Sequence, residues 1–141
     1  MDIRLSDTTL RSPRDTILVV EDDPSVLFVV QRILDRAGYH VLAAHSAEAA
    51  LRIAREAPVP PQLLLSDVIM PGMGFRDFCE QLAEAVPDVP LVLMSAHTDQ
   101  ALIHELGEVP DLDLRKPFTP RDLLRTIRLA LATSPAGGQG V

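Results

Sequence analysis

Glu21 and Asp22 follow the apolar run TILVV, Asp67 follows LLLS, Ser95 closes LVLMS, and Lys116 follows LDLR. If those runs are parallel strands, these side chains gather on one edge of a sheet. Carboxylates crowded there repel one another, by about 4 kcal/mol for a pair ~4 Å apart at an effective dielectric near 20. Proton uptake, a neighbouring ammonium or a hard divalent cation relieves that repulsion. Oxygen-only ligands with room for water suit Mg²⁺, which takes one or two carboxylates together with phosphate oxygens. A lysine and a hydroxyl beside such an ion complete a cradle for a phosphoryl group, and the chemistry this points to is phosphoryl transfer to an aspartate.

Each residue alone has a plainer reading. Asp23, before Pro24, is a helix cap; Glu21-Asp22 is a solvated turn; Asp67 ends a strand before a Met70-Pro71-Gly72 turn; Ser95 ends another; Lys116-Pro117 is a loop dipeptide. The functional reading rests on their all landing at one edge.

The elements that must bring them there alternate along the chain. Thr16–Val20, His40–Ala44, Leu63–Ser66, Leu91–Ser95 and Leu112–Arg115 read as short buried strands. Asp23-Pro24 supplies a cap and a proline at the first helical position, and Gly38 stops that helix. Ser46 caps a second helix running to about Ala57, where Pro58, Pro60 and Pro61 end it. Phe75, Phe78, Leu82 and Val86 mark one face of a third helix, with Cys79 as packing; Thr98 to about Leu106 makes a short fourth. Thr119-Pro120-Arg121-Asp122 has a cap, a proline at the first position and a carboxylate at the third, opening a last helix to about Ala132. Five strands alternating with five helices imply right-handed crossovers and a parallel sheet covered on both faces, with functional groups at the carboxyl ends of the strands.

Composition narrows the classes. The chain has 141 residues, 47% hydrophobic and 23% charged, which suits one globular domain. We divide it into a polar leader (1–15), a folded domain (16–132) and a flexible tail (133–141). One cysteine cannot make an internal disulfide, no apolar run approaches the roughly 18 residues of a membrane span, and the start lacks a signal-peptide core. The expectation is a cytoplasmic protein that binds no membrane. A formal charge of −7 argues against unaided nucleic-acid binding, which depends on basic patches.

The segments ILVVEDDPSV, LLLSDVIMPGM, LVLMSA and LRKPFTPRDLL resemble, in order and spacing, the receiver domains of two-component response regulators. The resemblance covers about Thr16 to Ala132. It implies an α/β, flavodoxin-like (βα)₅ doubly wound parallel sheet with strand order 2-1-3-4-5. It makes Asp67 the phosphoacceptor, receiving a phosphoryl group from a histidine kinase or phosphotransfer protein in a Mg²⁺-dependent reaction. Asp22 would bind Mg²⁺ directly and Glu21 mostly through water, with Asp67 and the Ile69 carbonyl as further ligands. Lys116 would pair with the acceptor and then with the phosphoryl oxygens. Ser95, with Ala96 beside it in the phosphoryl-binding set, would swing its hydroxyl onto the phosphoryl group. The Lys116–Pro117 peptide would be cis, a state that proline makes accessible.

Three places depart from that family's pattern. Asp113 stands where an aromatic residue usually lies three before the lysine; a carboxylate cannot fill an apolar slot cheaply, so Asp113 is expected to face solvent. Phe75 replaces a usual glycine, so Gly74 is expected to supply the permissive backbone one position earlier. The stretch from Ser95 to Lys116 is about one residue short, implying a short or loosely held fourth helix. Ile69 and His97, two residues beyond Asp67 and Ser95, flank the path of a hydrolytic water. An apolar Ile69 neither orients nor activates that water, so slow to moderate self-dephosphorylation is expected.

The leading reading is a stand-alone receiver that signals by protein contacts with an unidentified downstream partner, since only the short tail follows the domain; a homodimer through the Arg121, Arg125 and Arg128 face is open. The alternative is a pseudo-receiver that binds partners without phosphorylation, against which the complete set Glu21, Asp22, Asp67, Ser95 and Lys116 argues. A phosphatase using an aspartyl-phosphate would place an acid/base aspartate where Ile69 stands.

Overall fold

The computed structural model describes residues 15–68, 72–96 and 112–133. Elements follow in the order β1 (Thr16–Val20), α1 (Pro24–Arg36), β2 (His40–Ala44), α2 (Ala47–Glu56), β3 (Leu63–Asp67), α3 (Phe75–Ala85), β4 (Leu91–Ser95), β5 (Leu112–Arg115) and α4 (Pro120–Thr133). The anticipated helix from Thr98 to Leu106, Ile69, His97 and most of the leader and tail lie outside the described residues. The strands form one parallel sheet of order β2-β1-β3-β4-β5, the topology of the flavodoxin-like fold. β3 runs one residue further than the apolar run suggested, so Asp67 is its last member, paired with Met94 of β4.

Alternation along the strands sorts the core into two layers. Leu18, Val20, Leu64 and Leu93 pack with Ala50, Leu51 and Ala54 of α2 and Phe78 and Leu82 of α3. Ile17, Val19, Leu63, Leu65, Val92 and Met94 pack with Val30 and Leu34 of α1 and Leu123 and Ile127 of α4. Both faces being covered is why the central strands carry uninterrupted apolar residues instead of an alternating pattern.

Local chemistry sets where helices begin. Asp23 Oδ1 accepts from the Ser25 amide at 2.9 Å and the Val26 amide at 3.5 Å, ahead of Pro24. Ser46 Oγ accepts from the Ala49 amide at 3.0 Å. At α4 the Asp122 amide donates to Thr119 Oγ1 and the Thr119 amide to Asp122 Oδ2, a reciprocal capping box. Gly38, at φ 100°, closes α1 in the left-handed region that glycine enters without a steric penalty.

The loop after β3 differs from expectation. Gly74 has φ −64°, open to any residue, and serves as the N-cap of α3; the positive φ, 102°, is at Gly72. The reason is space as well as torsion. A Cβ on Gly72 would lie 3.0 Å from a carboxylate oxygen of Glu48 at the start of α2. The bend is therefore made three residues ahead of Phe75, which leaves the helix start in ordinary extended backbone.

Candidate functional site at the carboxyl ends of the strands

β1, β3 and β5 end side by side with β4, and their terminal residues build the site. The Glu21 amide donates to the Ala44 carbonyl at 3.0 Å, carrying the β1–β2 ladder one residue past Val20. The Lys116 amide donates to the Ser95 carbonyl at 2.8 Å, doing the same for β4–β5. These two bonds fix the backbones from which a carboxylate and an ammonium reach toward each other. Lys116 Nζ lies 3.4 Å from Glu21 Oε1 and 3.5 Å from Asp67 Oδ2. Both separations exceed the 2.7–2.9 Å of a tight charge-assisted hydrogen bond, so one ammonium is shared between two anions. The Lys116–Pro117 peptide that follows is cis.

The other carboxylate oxygens are held by backbone. Glu21 Oε2 accepts from the Asp23 amide at 3.0 Å, and Asp67 Oδ1 from the Val68 amide at 2.8 Å. Glu21 is 1% exposed and Asp67 9%, whereas Asp22 faces solvent. One oxygen from each of Glu21, Asp22 and Asp67 lies within 4.8 Å of the others. Burial pushes the Glu21 carboxyl above its ordinary range, and the Asp67 charge adds to that against the opposing Asp23 amide and Lys116. Burial works to lower the Lys116 ammonium, but the charges of Asp67 and Glu21 outweigh it and raise it. The site thus holds more negative charge than one lysine balances. Its donor set is all oxygen, with one ligand open to water, and that fits a hard divalent cation.

Of the residues singled out from sequence, the fold brings together Glu21, Asp22, Asp67 and Lys116; Ser95 ends the adjoining strand and Ala96 follows it. Ser95 is fully buried, and its hydroxyl donates to Asp113 Oδ1 at 2.5 Å. Asp113 is exposed, as expected, yet one of its oxygens is engaged inside the sheet's edge. The contact follows from register: Asp113 is level with Leu93, so it shares a face with Ser95, one pleat further along β4. No spacing signal announces this pair, whose members are 18 residues apart. Beside Asp22, an open depression of about 450 Å³ is bounded by Pro24, Leu27, Phe28, Gln31 and His45, with Phe28 59% exposed. Cys79 is a free, half-buried thiol pushed up to about 11 by burial on α3, consistent with a packing role.

Comparison with known proteins agrees with this fold. The sequence profile of the response regulator receiver domain matches residues 17–128. The chain is 33% identical over 121 residues to the alkaline phosphatase synthesis transcriptional regulatory protein PhoP of Bacillus subtilis, covering 84% of this chain and 49% of that protein. It is 34% identical over 119 residues to the DNA-binding response regulator MtrA of Mycolicibacterium smegmatis, covering 84% and 51%. The chain therefore spans about half the length of these curated relatives. Among solved structures, a response regulator receiver domain protein from Clostridium thermocellum superposes with a TM-score of 0.74 at 28% identity, covering 82% of this chain and 93% of that one. The chemotaxis response regulator CheY4 of Vibrio cholerae superposes at 0.71 with 26% identity, covering 83% and 98%. Among the described residues, no helix is long and apolar enough to cross a membrane.

Proposed function

This chain belongs to the response regulator receiver domain family of two-component systems, and from that premise we propose that it accepts a phosphoryl group on Asp67 in a Mg²⁺-dependent reaction. The observation that carries the reading is Lys116 Nζ, held between Glu21 and Asp67 at the edge where Glu21, Asp22 and Asp67 converge. Glu21, Asp22 and Asp67 are the side chains that would hold Mg²⁺, with the Ile69 carbonyl as a further ligand. The bound cation would supply charge neutralisation for the phosphoryl oxygens.

The chain's own groups account for the rest. Asp67 Oδ2 is the oxygen available for attack, since Oδ1 is held by the Val68 amide at 2.8 Å while Oδ2 faces the Lys116 ammonium at a loose 3.5 Å. Its lone pair would attack phosphorus of a phosphohistidine; the O–P bond forms, the N–P bond breaks, and the imidazole nitrogen keeps that electron pair and takes up a proton. Lys116 would leave the two carboxylates for the new phosphoryl oxygens, a move its loose 3.4 and 3.5 Å contacts make inexpensive. Ser95 and the Ala96 backbone, at the end of β4, would contribute the remaining contacts, and Ile69 and His97 would set how quickly water removes the group. The donor is a histidine kinase or phosphotransfer protein, approaching over Asp22 and the exposed Phe28 and Val29 of α1. The downstream partner is a protein. The net charge of −7 supports a receiver that itself makes no nucleic-acid contact, although the relatives named above are DNA-binding or transcriptional regulators.

The test is incubation with Mg²⁺ and a small phosphodonor such as acetyl phosphate, read by intact mass. One added phosphoryl group that disappears in Asp67→Asn and on removing Mg²⁺ supports the reading. An unmodified wild-type chain refutes it and favours a module that binds its partners without phosphorylation.

A further inference from the structure

The Ser95 hydroxyl is fully buried and donates to an exposed carboxylate on the neighbouring strand, Asp113 Oδ1, at 2.5 Å. A serine has one hydroxyl hydrogen to give, and both an ionised carboxylate and a phosphoryl group only accept. Ser95 therefore has a single hydrogen and two anions competing for it: Asp113 on β5, and the phosphoryl group that would form on Asp67 of β3, the strand on the other side of β4. Satisfying one leaves the other without this donor.

From this competition we infer that Asp113 is a positioning residue: it holds the Ser95 hydroxyl away from Asp67 in the resting state, and phosphorylation must break that bond. The inference rests on Asp67 being the acceptor and adds what opposes its occupancy. The opposing partner here is a charged group whose released form is satisfied by water, since Asp113 is already exposed. The Lys116 amide, bonded to the Ser95 carbonyl at 2.8 Å, keeps the Ser95 backbone in place, so the exchange would be made by rotation about the Ser95 side-chain bond.

A double-mutant cycle tests this. Beryllofluoride with Mg²⁺, an acyl-phosphate mimic, is titrated into wild type, Asp113→Ala, Ser95→Ala and the double variant, with binding followed by amide chemical shifts and folding checked by melting. Asp113→Ala should tighten binding about tenfold, the scale of one hydrogen bond to a charged group. Asp113→Asn, whose amide oxygen still accepts, should fall between. In the Ser95→Ala background the Asp113→Ala change should shrink below about twofold, because no hydroxyl is left to release. An equal change in both backgrounds overturns the inference, since that is what deletion of a nearby negative charge alone would give; so does no tightening. The Ser95 side-chain rotamer, read from three-bond couplings, should be single in the wild-type resting state and averaged in Asp113→Ala; a single rotamer in both also overturns it. A wild-type chain that is phosphorylated on Asp67 but shows no coupling sinks this inference alone, whereas a chain that takes neither phosphate nor beryllofluoride sinks the acceptor reading and this one with it.

Discussion

The carboxylates at the sheet's edge and those at the helix starts are the same chemical group in opposite settings. Asp23 and Asp122 are exposed or half-exposed, accept hydrogen bonds from Ser25 and Val26 and from Thr119 respectively, and are held below the ordinary carboxylate range by those bonds. Glu21, two residues before Asp23, is buried and pushed the other way. The helix-start pair contributes to stability by satisfying amides that the first turn leaves without partners. The edge group opposes folding in proportion to its uncompensated charge and earns its place through what it can bind. One chain segment, Glu21-Asp22-Asp23, spans the boundary between the two settings.

The largest effect that would break this contrast is at Lys116. Lys116→Ala leaves Glu21 and Asp67 facing each other without a cation, and the rate of Asp67 phosphorylation by a small donor should fall about a hundredfold, the scale of losing one preorganised charge-stabilising donor. A rate within threefold of wild type would mean that the ammonium only balances the resting cluster.

Next comes the charge balance itself. Mg²⁺ at ten times its dissociation constant should stabilise the fold by about 1.4 kcal/mol and raise the melting temperature by roughly 5 °C. Glu21→Gln should raise the metal-free melting temperature and reduce that increment. The sign follows from Glu21's raised folded value: its contribution to metal-free stability is complete below the unfolded carboxyl range and is lost as pH rises through the folded value. The variant should therefore be relatively more stable at pH 7 than at pH 4. A destabilised variant at pH 7 would show that the Asp23 amide and Lys116 outweigh burial.

The helix starts give smaller effects of opposite sign. Ser46→Ala removes the acceptor of the Ala49 amide and should cost about 1 kcal/mol, measured by denaturant unfolding. Asp23→Asn keeps an acceptor and should leave the melting temperature near wild type at pH 7. The Asp23 and Asp122 contributions are present above the unfolded carboxyl range and are lost as pH falls through their lowered folded values; Asp23→Asn no longer has the Asp23 part to lose, so its acid-unfolding midpoint should move to lower pH than wild type.

Much of this was legible because local rules act over a few residues. Thr16–Val20, His40–Ala44, Leu91–Ser95 and Leu112–Arg115 are strands over the bounds their apolar runs suggest, and Asp23-Pro24, Ser46 and Thr119–Asp122 start helices where their capping chemistry predicts. The gathering of Glu21, Asp22, Asp67 and Lys116 follows from one parity rule, that parallel strands end on the same edge. The spacing around Phe75 points to Gly74, but the glycine that bends the loop is chosen by what surrounds it, Glu48 beside Gly72, from an element 24 residues away.

The sequence alone determined which residues form strands and helices and that acidic groups and a lysine would meet at one edge, because patterning and capping are short-range. Only the tertiary structure decided which oxygen of Asp67 is held by backbone and which faces the ammonium, that Lys116 is shared loosely between two carboxylates, and that the Ser95 hydroxyl is given to Asp113. Those outcomes depend on strand register and on distances of a few tenths of an ångström between groups far apart in the chain, and hydrogen bonds and charge pairs are sensitive on that scale.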